Sequence, residues 1–207
     1  MGKPKNWPAN VRYLTAPLHD SGLSREQVTA VQRQQGWMPV VPASWSQSPA
    51  VRIRNIDDAA HPACGQRGLF ATRRLEAASF VVAYLGRVHG AAKSKRGEGQ
   101  AWDTSDYDLW LDKGAGVAVD GAREGNEARF INDYRGVGAR ANAVFGEAWC
   151  EQWKQVCVGV WVAQGSQGID KGQEIVVSYG KGFWEERRSE ATRGRAETGA
   201  GRQGQLD

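Results

Sequence analysis

The chain has 207 residues, 41% of them apolar and 24% charged, which suits one domain with flanking segments and excludes global disorder. The formal charge is +4, and most of it sits in residues 1–50, where Lys3, Lys5, Arg12, Arg25 and Arg33 face only Asp20 and Glu26. So small a surplus elsewhere argues against direct nucleic-acid binding, and no apolar run approaches the roughly 18 residues of a membrane-spanning helix.

In chain order, the first eight residues, Met1 to Pro8, have no apolar stretch and are not expected to act as a secretory signal. Asn6 stands where a myristoylation site needs Ser or Thr. Six of the seven prolines fall at 4, 8, 17, 39, 42 and 49, so residues 1–50 read as an arm. One helix is expected inside it. Ser24 with Gln27 forms a capping box, Gly36 ends the helix, and Val28 and Val31 make a thin apolar stripe. Trp37 and Met38 are expected to pack it on the body.

From residue 51 the texture changes to short strands. Val51–Ile56 and Tyr107–Asp112 alternate with period two, and Phe80–Leu85 is an apolar run closed by Gly86. Val117–Asp120 follows a Gly-Ala-Gly turn, Val156–Ala163 has the clearest alternation, and Glu174–Tyr179 ends at Gly180. Helix signal is scarce: a turn or two over Asn126–Ile131 and a terminal helix over Phe183–Thr192. Residues 90–101, with the basic run Lys93-Ser94-Lys95-Arg96, read as a loop, and residues 188–207 as a disordered tail. The nine tryptophans and 26 glycines fit short strands, tight turns and aromatic plugs.

Cys64, Cys150 and Cys157 are an odd set without a CxxC pair, so neither a disulfide framework nor a zinc site is expected. Cys150 and Cys157 would meet across a hairpin if they met at all. Reduced thiols and an intracellular setting are the simplest reading.

Four blocks carry polar or glycine residues inside an apolar context. They are Gly65-Gln66-Arg67-Gly68-Leu69-Phe70, Phe80 to Gly86, Gly125-Asn126-Glu127-Ala128-Arg129-Phe130-Ile131-Asn132-Asp133-Tyr134, and Lys171 to Gly180. Each alone reads as a turn, a buried strand, or a tyrosine with its ring in the core and its hydroxyl at the rim. Two asparagines and an arginine among apolar residues must find hydrogen-bond partners.

In this order and spacing the four blocks resemble the SET domain of protein-lysine methyltransferases, and Ala141-Asn142-Ala143 is similar to the family's Pro-Asn-x. The resemblance covers residues 51 to about 187. It implies a mostly β fold (the β-clip) of small curved sheets around a pseudoknot-like crossing. An N-terminal arm (1–50) with one short helix, a SET domain (51–187) with a short C-terminal helix, and a tail (188–207) would follow.

The resemblance further implies S-adenosyl-L-methionine as cofactor and methyl transfer to the ε-amine of a lysine-bearing protein, for which a histone tail is the commonest family target. Nuclear residence follows by the same analogy. Arg67, Gly68, Leu69, Arg129, Phe130, Asn132, Asp133, Tyr179 and Trp184 would hold the cofactor. Tyr179 would stand at the point of methyl transfer, and Tyr84, Tyr107, Val177 and Phe183 would line the lysine channel. The chemistry suits these residue types. An in-line displacement needs alignment and a dry channel more than a strong base, and the sulfonium and apolar walls favour a neutral amine.

Departures from the family pattern are specific. Asp133-Tyr134-Arg135 replaces His-Ser-Cys, so Asp133 would either accept from the cofactor's ammonium or face solvent. The Cys-rich segment that binds zinc in many relatives is absent. Val177 stands where Phe or Tyr often tunes product number, leaving room for higher methylation. The competing reading is a SET-like binding module without catalysis.

Overall fold

The structure is a computed structural model that describes residues 3–41, 50–90, 105–180 and 183–184. The chain forms two compact units, Met1–Val177 and Ser178–Asp207. The first unit opens with β1 (Arg12–Tyr13), β2 (Leu18–His19), helix α1 (Arg25–Val31) and β3 (Val40–Val41). Then come β4 (Val51–Asn55), β5 (Arg67–Ala71), β6 (Phe80–Tyr84), β7 (Arg87–Gly90), β8 (Asp108–Asp112) and β9 (Val117–Asp120). It closes with β10 (Glu124–Gly125), a 3₁₀ turn (Glu127–Phe130), β11 (Asn132–Asp133), β12 (Ala143–Cys150), β13 (Gln155–Val162) and β14 (Val176–Val177). No helix among the described residues is long and apolar enough to cross a membrane.

The strands make five small sheets. One has the order β3-β12-β13-β6 and another β2-β7-β9-β8; β4-β5, β1-β10 and β11-β14 are two-stranded. The alternating valines of β13 are buried, including Val156, Val158, Val160 and Val162. They pair with β12 in an eight-residue antiparallel register from Ala143↔Val162 to Cys150↔Gln155. Gly86, between β6 and β7, is forced: a Cβ there would lie 2.2 Å from the Asp120 carbonyl oxygen.

The arm is woven into this body. Its strands β1, β2 and β3 pair in parallel with β10, β7 and β12, covering edges that would otherwise be open. Trp7 stacks edge-on against Tyr13 (4.9 Å) and Phe130 (5.5 Å), contacts worth about 0.5–1.5 kcal/mol each beyond area burial. Arg87 bridges the arm's Asp20 (3.1 Å) and the buried Glu124 (2.5 Å).

The capping box of Ser24 and Gln27 is present, but α1 ends at Val31 rather than near Gly36. Past Val31, Gln32 to Gln35 offer no apolar side chain to hold a further turn on the core. Trp37 is 67% exposed, so it does not pack the helix down; the fully buried Val31 and the Gln27 side chain, which donates to the Gly116 carbonyl (3.1 Å), do. Trp45, Trp102, the basic run at 93–96 and the tail at 188–207 lie outside the described residues.

Of the expected strand over Glu174–Tyr179, only Val176–Val177 forms ladder β14. Glu174 instead makes an isolated bridge to Phe70, and the Ile175 N–H donates to the Leu69 carbonyl (2.8 Å). The sequence also hid β12, whose Ala-Val-Phe-Gly-Glu-Ala-Trp-Cys does not alternate, and β5, which reads as a glycine turn. All three cysteines are free: Cys64 is exposed, while Cys150 and Cys157 are buried. In β12–β13 Cys157 stands opposite Ala148 and Cys150 opposite Gln155. Burial, reinforced by Cys150, pushes the Cys157 thiol up to about 12, so it stays protonated.

In the second unit Tyr179 meets Phe183 edge-on at 4.9 Å, and Phe183 meets Trp184 at 5.3 Å. Phe183 and Trp184 have helical backbone; the rest of the expected terminal helix lies outside the described residues.

Candidate functional site

The crossing of two distant segments builds the site. β11 runs parallel to β14, with Asn132 opposite Val176 and Asp133 opposite Val177. The Asn142 side chain clamps the same segment, donating to the Glu174 carbonyl (2.8 Å) and accepting from the Val176 N–H (2.9 Å). The Tyr134 N–H donates to the Val177 carbonyl (2.9 Å). On the far side, the 172–175 stretch is hydrogen-bonded to β5 through Gly172, Ala71 and Ile175. Glu174 is thereby held beside Gly68, Arg67 and Asn132.

Glu174 is 9% exposed and is the hub of the polar groups here. Asn132 Nδ2 donates to Glu174 Oε1 (2.8 Å) and to the Arg67 carbonyl (3.2 Å). His61 Nε2 lies 2.9 Å from Glu174 Oε2. A Cβ on Gly68 would fall 2.6 Å from Glu174 Oε1, so the glycine makes room for this carboxylate. Both Nδ2 hydrogens of Asn132 are then spent, and its Oδ1 accepts nothing from the described residues. Arg67 Nε is buried without a hydrogen-bond partner among them.

Asp133 neither faces solvent nor stands alone. It is 8% exposed, and it accepts from the Arg135 guanidinium at 2.9 and 3.1 Å and from the Arg135 N–H at 2.9 Å. Position 133 therefore carries a buried carboxylate paired with a half-exposed arginine, local to the crossing.

A second cluster surrounds Tyr107. The buried Tyr84 donates its hydroxyl to the Tyr107 carbonyl (2.8 Å). The Arg129 guanidinium stacks over the Tyr107 ring at 4.5 Å while its Nε and Nη2 donate to the Gly121 (2.8 Å) and Ala122 (3.2 Å) carbonyls. Next along the chain, Asp108 Oδ1 is 3.0 Å from Nε2 of the buried His89. Burial pulls the His89 imidazole down, but the hydrogen bond to Asp108 and its charge outweigh that and leave it above its ordinary value.

The expected site residues therefore divide. Arg67, Gly68, Asn132 and Asp133 meet at the crossing, whereas Arg129, Tyr84 and Tyr107 form their own cluster. The side chains of Leu69, Phe130 and Val177 belong to the main core. Tyr179, Phe183 and Trp184 form the aromatic ladder of the second unit. Sequence reasoning missed Glu174 and His61 as site residues. Glu174 sat inside a quoted block, an acid at the head of an apolar run. His61, one of three histidines, carries no pattern at all.

The SET domain family model matches residues 66–180. No curated protein matches significantly. Among solved structures, the polycomb repressive complex 2 of Chaetomium thermophilum in an autoinhibited conformation bound to S-adenosylmethionine is 24% identical with a TM-score of 0.50. The match covers 72% of this chain and 17% of that one. A crystal structure of the same complex is 25% identical over 66% of this chain and 16% of that one, with a TM-score of 0.49. The chain thus spans about a sixth of the length of those polycomb chains. With the matched segment running from the Gly68 turn through the crossing to Gly180, the chain belongs to the SET domain family.

Proposed function

We propose that the chain is an S-adenosylmethionine-dependent protein-lysine N-methyltransferase, with a histone tail as the first substrate to try and the nucleus as its place of action. The observation that carries the reading is the Asn132 amide, oriented by Glu174 and the Arg67 carbonyl so that its oxygen is left as an acceptor. That acceptor suits an ammonium, and the orphaned Arg67 Nε suits a carboxylate, the two charged groups of the cofactor's amino-acid end. The SET polycomb structure bound to S-adenosylmethionine agrees with that choice. The arm would span 1–50, the SET domain 51–187 and the tail 188–207.

S-adenosylmethionine supplies a methyl group on a sulfonium. Gly68, Leu69, Arg129, Phe130 and Asp133 shape the cofactor wall through packing and backbone, and Trp184 is carried as a cofactor residue by the family resemblance alone. Tyr107, held by Tyr84 and Arg129, lines the lysine channel, and Val177 sets its width from the core. Phe183 is assigned to the channel by the family resemblance alone. Tyr179 orients the amine through its hydroxyl. Aromatic walls accept the lysine stem and disfavour water, which helps the amine lose its proton.

Transfer of labelled methyl groups onto histones and whole-cell protein, read by mass spectrometry, tests the reading. Tyr179→Phe is expected to lower turnover on the order of 10²-fold while the melting temperature holds. No transfer by the parent, or equal transfer by the variant, removes the assignment. The pairing of Asp133 with Arg135 favours one other reading, a SET module that binds partners without catalysis. Absence of S-adenosylmethionine binding at millimolar concentration in calorimetry would select it.

A further inference from the structure

The turn before β5 places a histidine where neither the motifs nor the methyl-transfer chemistry asks for one. Its backbone is fixed by the turn: the Cys64 N–H donates to the His61 carbonyl (2.9 Å) and the Gly65 N–H to the Ile56 carbonyl (2.9 Å). The Ala63 N–H donates to His61 Nδ1 (3.0 Å). Nδ1 is therefore the bare nitrogen, Nε2 carries the hydrogen, and that hydrogen points at Glu174 Oε2, 2.9 Å away. The side chains of His61 and Glu174 are only 10% and 8% exposed.

Resting on the methyltransferase reading, we propose that His61 is a positioning residue. It locks the Glu174 carboxylate so that Asn132 presents its amide oxygen, and not its NH₂, to the cofactor's ammonium.

Each carboxylate oxygen has its own donor, His61 on Oε2 and Asn132 on Oε1, so rotating the carboxylate breaks both bonds. The two ends of an Asn amide are nearly the same shape, and only hydrogen bonds tell them apart. Without the His61 donor the buried Oε2 is left unsatisfied, and the carboxylate gains by turning toward water or another donor. Asn132 then loses the acceptor that fixes its orientation. A flipped amide turns an N–H toward a cation, which repels it. The role is reached through Glu174, so the loss should fall on cofactor affinity and be recovered at saturating cofactor.

Two substitutions separate the donor from the ring. His61→Phe keeps the ring and loses the donor, whereas His61→Gln keeps a donor at the same reach and loses the ring. In calorimetry with S-adenosylmethionine, His61→Phe is expected to bind at least about tenfold more weakly, and His61→Gln within about threefold of the parent. In turnover assays the His61→Phe loss should appear in KM for S-adenosylmethionine rather than in kcat. Phe binding as tightly as the parent, or Gln losing as much as Phe, overturns the proposal. A parent that binds no S-adenosylmethionine removes the methyltransferase reading itself, whereas a binding parent with an unaffected His61→Phe removes the His61 role alone. If His61→Phe does not fold, imidazole ¹⁵N shifts of the parent decide. Protonated Nε2 with bare Nδ1 supports the lock, and the opposite tautomer overturns it.

Discussion

The crossing around Glu174 and the cluster around Tyr107 both hold polar side chains against a buried wall, but they do it differently. At the crossing, two side chains, His61 and Asn132, converge on one buried carboxylate, Glu174, beside the bonds that Asn132 and Asn142 make to backbone carbonyls. Around Tyr107, side chains bond to backbone carbonyls, Tyr84 to Tyr107 and Arg129 to Gly121 and Ala122. A carbonyl that loses its donor at a half-buried turn can turn to water. A carboxylate hub that is removed leaves two donors, on His61 and Asn132, unmatched at once. The first arrangement concentrates the risk in one residue, and the second spreads it.

The sharpest way to break that contrast is Glu174→Ala. It strips a buried acceptor from His61 Nε2 and Asn132 Nδ2 and empties the space over Gly68. The expected cost is about 3–5 kcal/mol, read as a drop in the urea midpoint at unchanged slope. Tyr84→Phe, by comparison, removes the hydrogen bond to the Tyr107 carbonyl and keeps the ring against Phe145. It should cost about 1 kcal/mol. A Tyr84→Phe loss equal to that of Glu174→Ala would erase the distinction between hub and spread.

The same contrast explains what could be read from the chain alone. The long alternating strand β13 and the short β4, β6, β8 and β9 were legible because each buries one face or a continuous apolar run. β12 was not, because Gly146 and Glu147 interrupt it and only pairing with β13 makes it a strand. The arm read as an appendage because β1, β2 and β3 are two residues long and exist only through parallel partners far along the chain. At the site, Gly68 and Asn132 stood out by motif. The need for Gly68 is now explained by Glu174, a contact between residues that local patterning does not connect. His61 was invisible for the same reason: its partner is made by the fold.

The smallest expected effect lies in the Tyr107 cluster, at the neighbouring His89–Asp108 pair. Burial alone would push His89 down, yet the hydrogen bond to Asp108 and the charges of Asp108 and Asp120 raise it above its unfolded value. A histidine raised on folding stabilises the protein fully below its unfolded value of about 6.5 and loses that contribution as pH climbs through the folded one. Stability of the parent should therefore fall as pH rises from about 6 toward the alkaline side of neutrality. His89→Asn should flatten that slope while the crossing, built on Glu174, keeps its own contribution. The urea midpoint, followed across this pH range in parent and variant, measures it. A parent slope that survives in His89→Asn would assign the pH dependence to another group and leave the Tyr107 cluster with no titrating support.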